Sequence, residues 1–242
     1  MNITYRSGGK MSEQRNIYRH EVKYYIGKRE ALQLSMLLKT NMSIDKNAND
    51  AGNYWIRSLY FDTIDNKDYY EKIIGFNVRK KIRLRVYDIS SDTLKLEIKN
   101  KYNQYTHKES ITISRQDAIS LIDGNSTPLL NYNESTSNKV FGYMHHDLYL
   151  PKVIIDYERE AFLYPFENIR VTIDKNVRAA FGNNDMFTDK IGMVSIFSDD
   201  VVVLEIKYDK IIPVFLQKAL SNFSTQGSQI SKYSLGRNIL KR

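Results

Sequence analysis

The segment Val78-Arg79-Lys80-Lys81-Ile82-Arg83-Leu84-Arg85-Val86-Tyr87 alternates with period two, which sets Lys81, Arg83 and Arg85 on one face of a strand and Ile82, Leu84 and Val86 on the other. A chain written this way must bury the second face and give the first a counter-charge. Side chains two apart on a strand lie roughly 7 Å from one another, so neighbouring like charges repel by about 2 kcal/mol at an effective dielectric of about 20. The pattern recurs. Leu94-Lys95-Leu96-Glu97-Ile98-Lys99 sets Lys95, Glu97 and Lys99 together, Val203-Leu204-Glu205-Ile206-Lys207-Tyr208 does the same with Glu205 and Lys207, and Arg19-His20-Glu21-Val22-Lys23-Tyr24 groups Arg19, Glu21 and Lys23. Alternation alone describes any antiparallel sheet with one packed and one wet face. The dominance of Lys and Arg over Glu, and the Glu-Ile-Lys shared by 97–99 and 205–207, favour charged faces that meet around an anion, with a carboxylate near to hold a metal.

With 242 residues, 42% of them hydrophobic, the chain can bury one substantial core. Its net charge of +8 favours an anionic partner: nucleic acid, an anionic membrane surface or a phosphorylated small molecule. Cysteine is absent, which excludes disulfides and thiolate zinc sites and makes a reducing cytoplasm the expected location. No apolar run approaches the roughly 20 residues of a membrane span, and the polar start lacks a signal-peptide core, so a soluble protein is expected.

Residues 1–15 show no periodicity and read as a disordered lead-in to a single domain over 16–242. Strands are expected at 17–26, 54–61, 105–114, 152–162, 169–174 and 201–208, beside the charged strands of 78–87 and 94–99. Helices are expected at 28–40, 65–74, 115–122 and 212–223, with a helical or irregular stretch at 129–148 and a basic tail at the end. This order specifies one α+β domain built on antiparallel sheet.

Several chemistries are excluded. There is no phosphate-loop motif, no dinucleotide glycine motif and no nucleophile elbow. His20, His107, His145 and His146 are not at metal-site spacing. The 18 tyrosines could stack on bases, but the aromatic signature of an RNA-recognition sheet is missing, so nucleic acid is the weakest of the partners considered. Phosphoryl transfer remains, because it asks for cations, a carboxylate-held metal and in-line geometry. A phosphate oxygen as nucleophile is already anionic, so the scarcity of histidine is no objection.

Eight segments in order carry a family resemblance: Arg19-His20-Glu21-Val22-Lys23-Tyr24, Ser58-Leu59-Tyr60-Phe61-Asp62, Arg83-Leu84-Arg85-Val86-Tyr87, Glu97-Ile98-Lys99, Tyr157-Glu158-Arg159-Glu160-Ala161-Phe162, Ile169-Arg170-Val171-Thr172-Ile173-Asp174, Leu204-Glu205-Ile206-Lys207 and Ser231-Lys232-Tyr233. Together, over about 18–236, they resemble the polyphosphate polymerase domain of the vacuolar transporter chaperone (VTC) family, a branch of the triphosphate tunnel metalloenzymes. The resemblance implies an antiparallel β-barrel tunnel of about eight strands with basic rows facing the lumen and helices packed outside. It implies that ATP and polyphosphate are substrates and that Mg²⁺ or Mn²⁺ is required. Arg83, Arg85, Lys99, Arg159 and Arg170 would serve the reaction, Lys23, Lys72, Lys108, Ser231 and Lys232 would hold phosphate, and Glu205 would bind the metal. Lys207 joins the phosphate contacts because it shares the face of Glu205.

The match has departures. Arg19 stands at the first Glu position of the wider superfamily's opening motif, which fits the polymerase branch. Lys72 stands where arginine is expected and loses the bidentate fork. Gln229 replaces a basic residue. Glu21 reads as an ion-pair partner, and Lys108 as surface or site in equal measure. Lys81, Lys95 and Lys101 have no counterpart in the resemblance. Membrane association or transport would need a separate membrane protein. A tripolyphosphatase using the same tunnel and a non-catalytic module sensing polyphosphate or inositol polyphosphate stand as alternatives to the polymerase.

Overall fold

The computed structural model describes residues 20–103, 105–181, 185–221 and 230–240. The expected lead-in, Arg19 and Gln229 lie outside the described residues. In chain order the elements are β1 (His20–Gly27), α1 (Lys28–Asn41), β2 (Ser43–Ile44), β3 (Asn53–Asp62), α2 (Lys67–Ile74), β4 (Val78–Arg79), β5 (Ile82–Val86), β6 (Thr93–Tyr102), β7 (Tyr105–Ser114) and α3 (Arg115–Ile122). A 3₁₀ turn at Thr127–Tyr132 leads to α4 (Ser135–His146), β8 (Leu150–Tyr164), β9 (Ile169–Phe181), β10 (Val194–Ser195), β11 (Val201–Tyr208), α5 (Val214–Ser221) and α6 (Lys232–Ile239).

All strands join one antiparallel sheet. Its main path runs β1-β11-β9-β8-β3-β5-β6-β4, which is eight strands, with β10, β2 and β7 pairing off the path on β9, β8 and β6. The molecule is thus α+β, with the expected strand count on the main path and three strands added. The sheet curls until its ends approach, and there side chains bridge them: Lys99 on β6 reaches Glu21 on β1 at 3.2 Å.

Period two does what it promised. Ile82, Leu84 and Val86 of β5, with Leu94, Leu96 and Ile98 of β6 and Ile111 and Ile113 of β7, bury one face against Ala118 and Leu121 of α3 and Val140 and Met144 of α4. On the opposite side Val202, Leu204 and Ile206 of β11 and Val171 and Ile173 of β9 pack under Leu34 and Leu38 of α1 and Leu216 and Leu220 of α5. A third cluster joins Ile56, Val153 and Ile155 to Tyr69 of α2 and Tyr233 of α6. Fully burying each such aliphatic side chain contributes about 1.5–3 kcal/mol, and these clusters offset the repulsion among the charges on the inner face.

Two departures from the sequence reading have physical causes. Strand β9 continues past Asp174 to Phe181 because Asn176 and Val177 are absorbed by a register shift between the Glu158–Lys175 and Asp156–Arg178 pairs, with Asn176 at φ 51°. The basic tail is a helix, α6, capped by Ser231, whose Oγ accepts from Ser234 N, and its Tyr233, Gly236 and Arg237 are buried.

Candidate active site in a basic tunnel

The inner faces of the sheet enclose a cavity of about 340 Å³. It is lined by Lys23 on β1, Arg83 and Arg85 on β5, Lys99 on β6, Lys108 on β7 and Arg159 on β8. Arg170 on β9, Lys207 on β11, Lys232 on α6 and Lys81, just before β5, complete a set of ten cations. Glu205 is the one carboxylate in the lining among the described residues. The ladder even sets like charges directly opposite each other, Lys99 against Lys108 and Arg170 against Lys207, an arrangement that destabilises a sheet unless counter-charges offset it.

A second row of carboxylates holds these cations in place. Glu97, directly across from Arg83, takes its Nε at 2.6 Å, Lys108 at 3.1 Å and Arg85 at 3.8 Å. Arg83 also donates to Tyr60 Oη at 3.0 Å, and Arg85 to Tyr157 Oη at 3.1 Å and Ser58 Oγ at 3.2 Å. Asp174 receives both prongs of Arg159, at 2.6 and 2.8 Å, together with Lys232. Arg170 is held by Asp45 at 2.7 Å and donates to Tyr54 Oη at 3.0 Å. The sequence reading of Glu21 as an ion-pair partner matches its contacts, with Lys23 at 2.6 Å and Lys99 at 3.2 Å. Glu205 sits between Lys207, at 2.8 Å, and Lys23, at 3.4 Å.

Burial and charge set the protonation of this lattice. Burial would push Glu97 up, but Arg83, Arg85 and Lys108 hold it below the usual carboxylate range. Glu205 resists burial in the same way through Lys207, Lys23 and Lys99, and stays well below that range. At Glu21, burial and Glu205 are overcome by Lys99, Lys23 and Lys207, which hold it at about 2. Burial dominates at Lys99: aided by Lys23 and Lys207 it outweighs Glu21 and pulls the ammonium down to about 7. The result is a cavity lined mainly by basic side chains, most of them held by carboxylates.

Of the residues singled out from sequence, Lys72 alone lies away from this lining. It stands in the last turn of α2 and lines a smaller adjoining cavity with Tyr25, Ile230 and Ser231. Sequence reasoning passed over Lys81, whose Nζ donates to Ser231 Oγ at 2.7 Å inside the tunnel. Its signal was the shared face with Arg83 and Arg85. It also missed Tyr54, Tyr60, Tyr87, Tyr157, Thr172 and Tyr233, which line the cavity; strand propensity alone explains Tyr54, Tyr60, Tyr157 and Thr172, while Tyr87 follows β5 and Tyr233 lies on α6.

The donors present suit a hard divalent cation that arrives with phosphate. Among the described residues no cluster of three acidic or histidine side chains could hold a metal alone. Glu205, however, faces Thr172 across the ladder, and Thr172 Oγ1 is buried without a hydrogen-bond partner. Magnesium keeps several waters and is commonly bound by one or two carboxylates plus substrate phosphates, which is what Glu205, Glu21 and that hydroxyl can supplement.

The family model described as VTC domain matches residues 18–241. No curated protein matches the chain. Among solved structures, a candidate adenylate cyclase from Bacillus halodurans is 12% identical, with a TM-score of 0.56 over 88% of this chain and 94% of its own. A candidate adenylyl cyclase from Hippeastrum, described as having a dominant triphosphatase activity, is 15% identical, with a TM-score of 0.53 over 91% of this chain and 95% of its own. At these identities the likeness is one of fold.

Proposed function

This chain belongs to the VTC domain family, and from that premise we propose that it is an ATP-dependent polyphosphate polymerase, transferring the terminal phosphoryl group of ATP onto a polyphosphate chain inside the tunnel. The observation that carries the reading is the lining itself: ten cations, one carboxylate and, among the described residues, no histidine to act as a general base. That set suits a nucleophile that is already anionic, the terminal oxygen of a polyphosphate. As that oxygen bonds to the γ-phosphorus, the bond from phosphorus to the β–γ bridging oxygen breaks and ADP leaves with the electron pair. Arg83, Arg85, Arg159 and Arg170 present planar forks to the equatorial oxygens, while Lys23, Lys99, Lys108, Lys207 and Lys232 neutralise the flanking phosphates. Ser231 and Lys72, at the α6 side, extend the contacts toward the adjoining cavity. A bound Mg²⁺ or Mn²⁺, held by Glu205, would neutralise charge on the transferred group.

A tripolyphosphatase is the second reading, favoured by the activity described for the Hippeastrum neighbour. Water would then take the place of the acceptor phosphate. Among the described residues no helix is long and apolar enough to cross a membrane, so transport of product would call for a separate membrane partner. Incubation with ATP and Mn²⁺ followed by phosphorus NMR tests the proposal: long-chain polyphosphate supports the polymerase, orthophosphate alone the hydrolase, and no turnover a binding module.

A further inference from the structure

Lys81 differs from every other cation of the tunnel. The other nine have carboxylate partners in Glu21, Asp45, Glu97, Asp174 or Glu205. Lys81 has none among the described residues, and its Nζ is satisfied only by Ser231 Oγ at 2.7 Å and the Tyr233 ring at 5.7 Å. The charged groups that face it from the surrounding elements are Lys23 on β1, Lys72 on α2, Arg79 on β4 and Lys99 on β6. The residues opposite on α6 and its cap, Ser231 and Tyr233, are neutral. An ammonium placed there, half-buried and surrounded by like charge, is disfavoured relative to one in open water. Burial first, and then those four cations, pull it well below the usual lysine range.

We propose that Lys81 and Ser231 form a phosphate seat whose counter-charge is supplied by the ligand alone, and that the Lys81 amine takes up a proton as the seat fills. The inference rests on the reading of the tunnel as a polyphosphate site. The geometry is complete for it: an ammonium has three donors, of which one stays on Ser231 Oγ and two remain for phosphate oxygens. Ser231 is fixed in turn, since its Oγ caps α6 by accepting from Ser234 N at 3.3 Å. The proton comes from solvent to the nitrogen lone pair, and no bond in the ligand changes. The sign follows from linkage. The empty tunnel disfavours the charged amine and the filled one favours it, so binding draws protons in and tightens as pH falls through the window between the two states.

Calorimetric titration with tripolyphosphate at about pH 8, in two buffers of unlike ionisation enthalpy, counts the protons drawn in on binding. Wild type is expected to take up more protons than Lys81→Met, because protons exchanged by tripolyphosphate itself cancel in the difference. Equal uptake by the two overturns the seat while leaving the tunnel reading intact. Lys81→Arg guards against a Met variant that does not bind: its guanidinium is always charged, so it should bind with less proton uptake than wild type, and undiminished uptake would overturn the seat again. Failure of wild type to bind tripolyphosphate at all would remove the tunnel reading and the seat together.

Discussion

Glu97 answers three cations at once, and this explains why the arginines of β5 stand ready instead of folding back on themselves. Glu97 fixes the Nε and Nη2 edge of Arg83, while Ser58 and Tyr157 fix the same edge of Arg85. Replacing Arg83 and Arg85 together by lysine keeps the charge and loses the forks, so turnover should fall on the order of tenfold to a hundredfold with the melting temperature nearly unchanged. A double variant as active as wild type would show that these positions only tune the field. Glu205→Gln tests the other sign. It removes the one lining carboxylate and frees Lys23 and Lys207, so tripolyphosphate binding should hold or tighten while metal-dependent turnover falls by about a hundredfold or more. Wild-type turnover in that variant would place the metal elsewhere. At this scale the sequence was most readable where one strand carried the whole signal, as in Arg83-Leu84-Arg85. It was silent on which cation lacks a partner: Glu21 reaches Lys99, and Asp174 reaches Lys232, across long stretches of chain, so the isolation of Lys81 exists only in the folded sheet.

Among the elements, β7, α3 and β11 begin and end where periodicity and capping residues put them, because Ser114 both closes a strand and accepts from Asp117 N to start α3. Helix α6 was hidden, since Lys232-Tyr233-Ser234-Leu235-Gly236-Arg237 has too few apolar residues to advertise a buried helix. What buries it is polar. Tyr233 donates to Asp62, Arg237 donates to Asn66 at 2.8 Å and lies over the Tyr69 and Tyr233 rings, and Tyr69 donates to Asn238. Gly236 allows the close approach: a Cβ there would stand 2.5 Å from Ile155 Cδ1 and 3.2 Å from Ala179 Cβ. Because α6 carries Lys232 and is capped by Ser231, its seating sets one wall of the tunnel. Gly236→Val should therefore destabilise by about 1–3 kcal/mol and weaken tripolyphosphate binding as well. In Gly236→Ala the movable Ile155 methyl and a gain of up to about 1 kcal/mol in helix propensity should leave a smaller effect. A valine variant with unchanged melting and affinity would mean that α6 does not position the wall.

The whole molecule balances three packed clusters on its outside against a lattice of like charge within. A net charge of +8 is modest for 242 residues, but the fold gathers ten cations around one cavity, which is why the bulk figure understates the local field. The carboxylates behind the lining relieve part of the strain, and the direct oppositions of Lys99 with Lys108 and Arg170 with Lys207 remain. An anion that threads the tunnel supplies the missing charge only in the folded state, so it must stabilise that state. At a tripolyphosphate concentration 100 times the dissociation constant the gain should be about 2.7 kcal/mol. For a domain of this size that raises the melting temperature by roughly 5–10 °C. The same contacts are electrostatic, so the shift should shrink as sodium chloride rises from about 0.05 to about 0.5 M, where the screening length falls severalfold. Sulfate at equal ionic strength separates screening from a specific fit, because it carries less charge and cannot span opposed rows. Differential scanning fluorimetry decides the matter. A melting temperature indifferent to millimolar tripolyphosphate at low salt would mean that the basic rows are balanced within the protein and that the tunnel is not built around a polyanion.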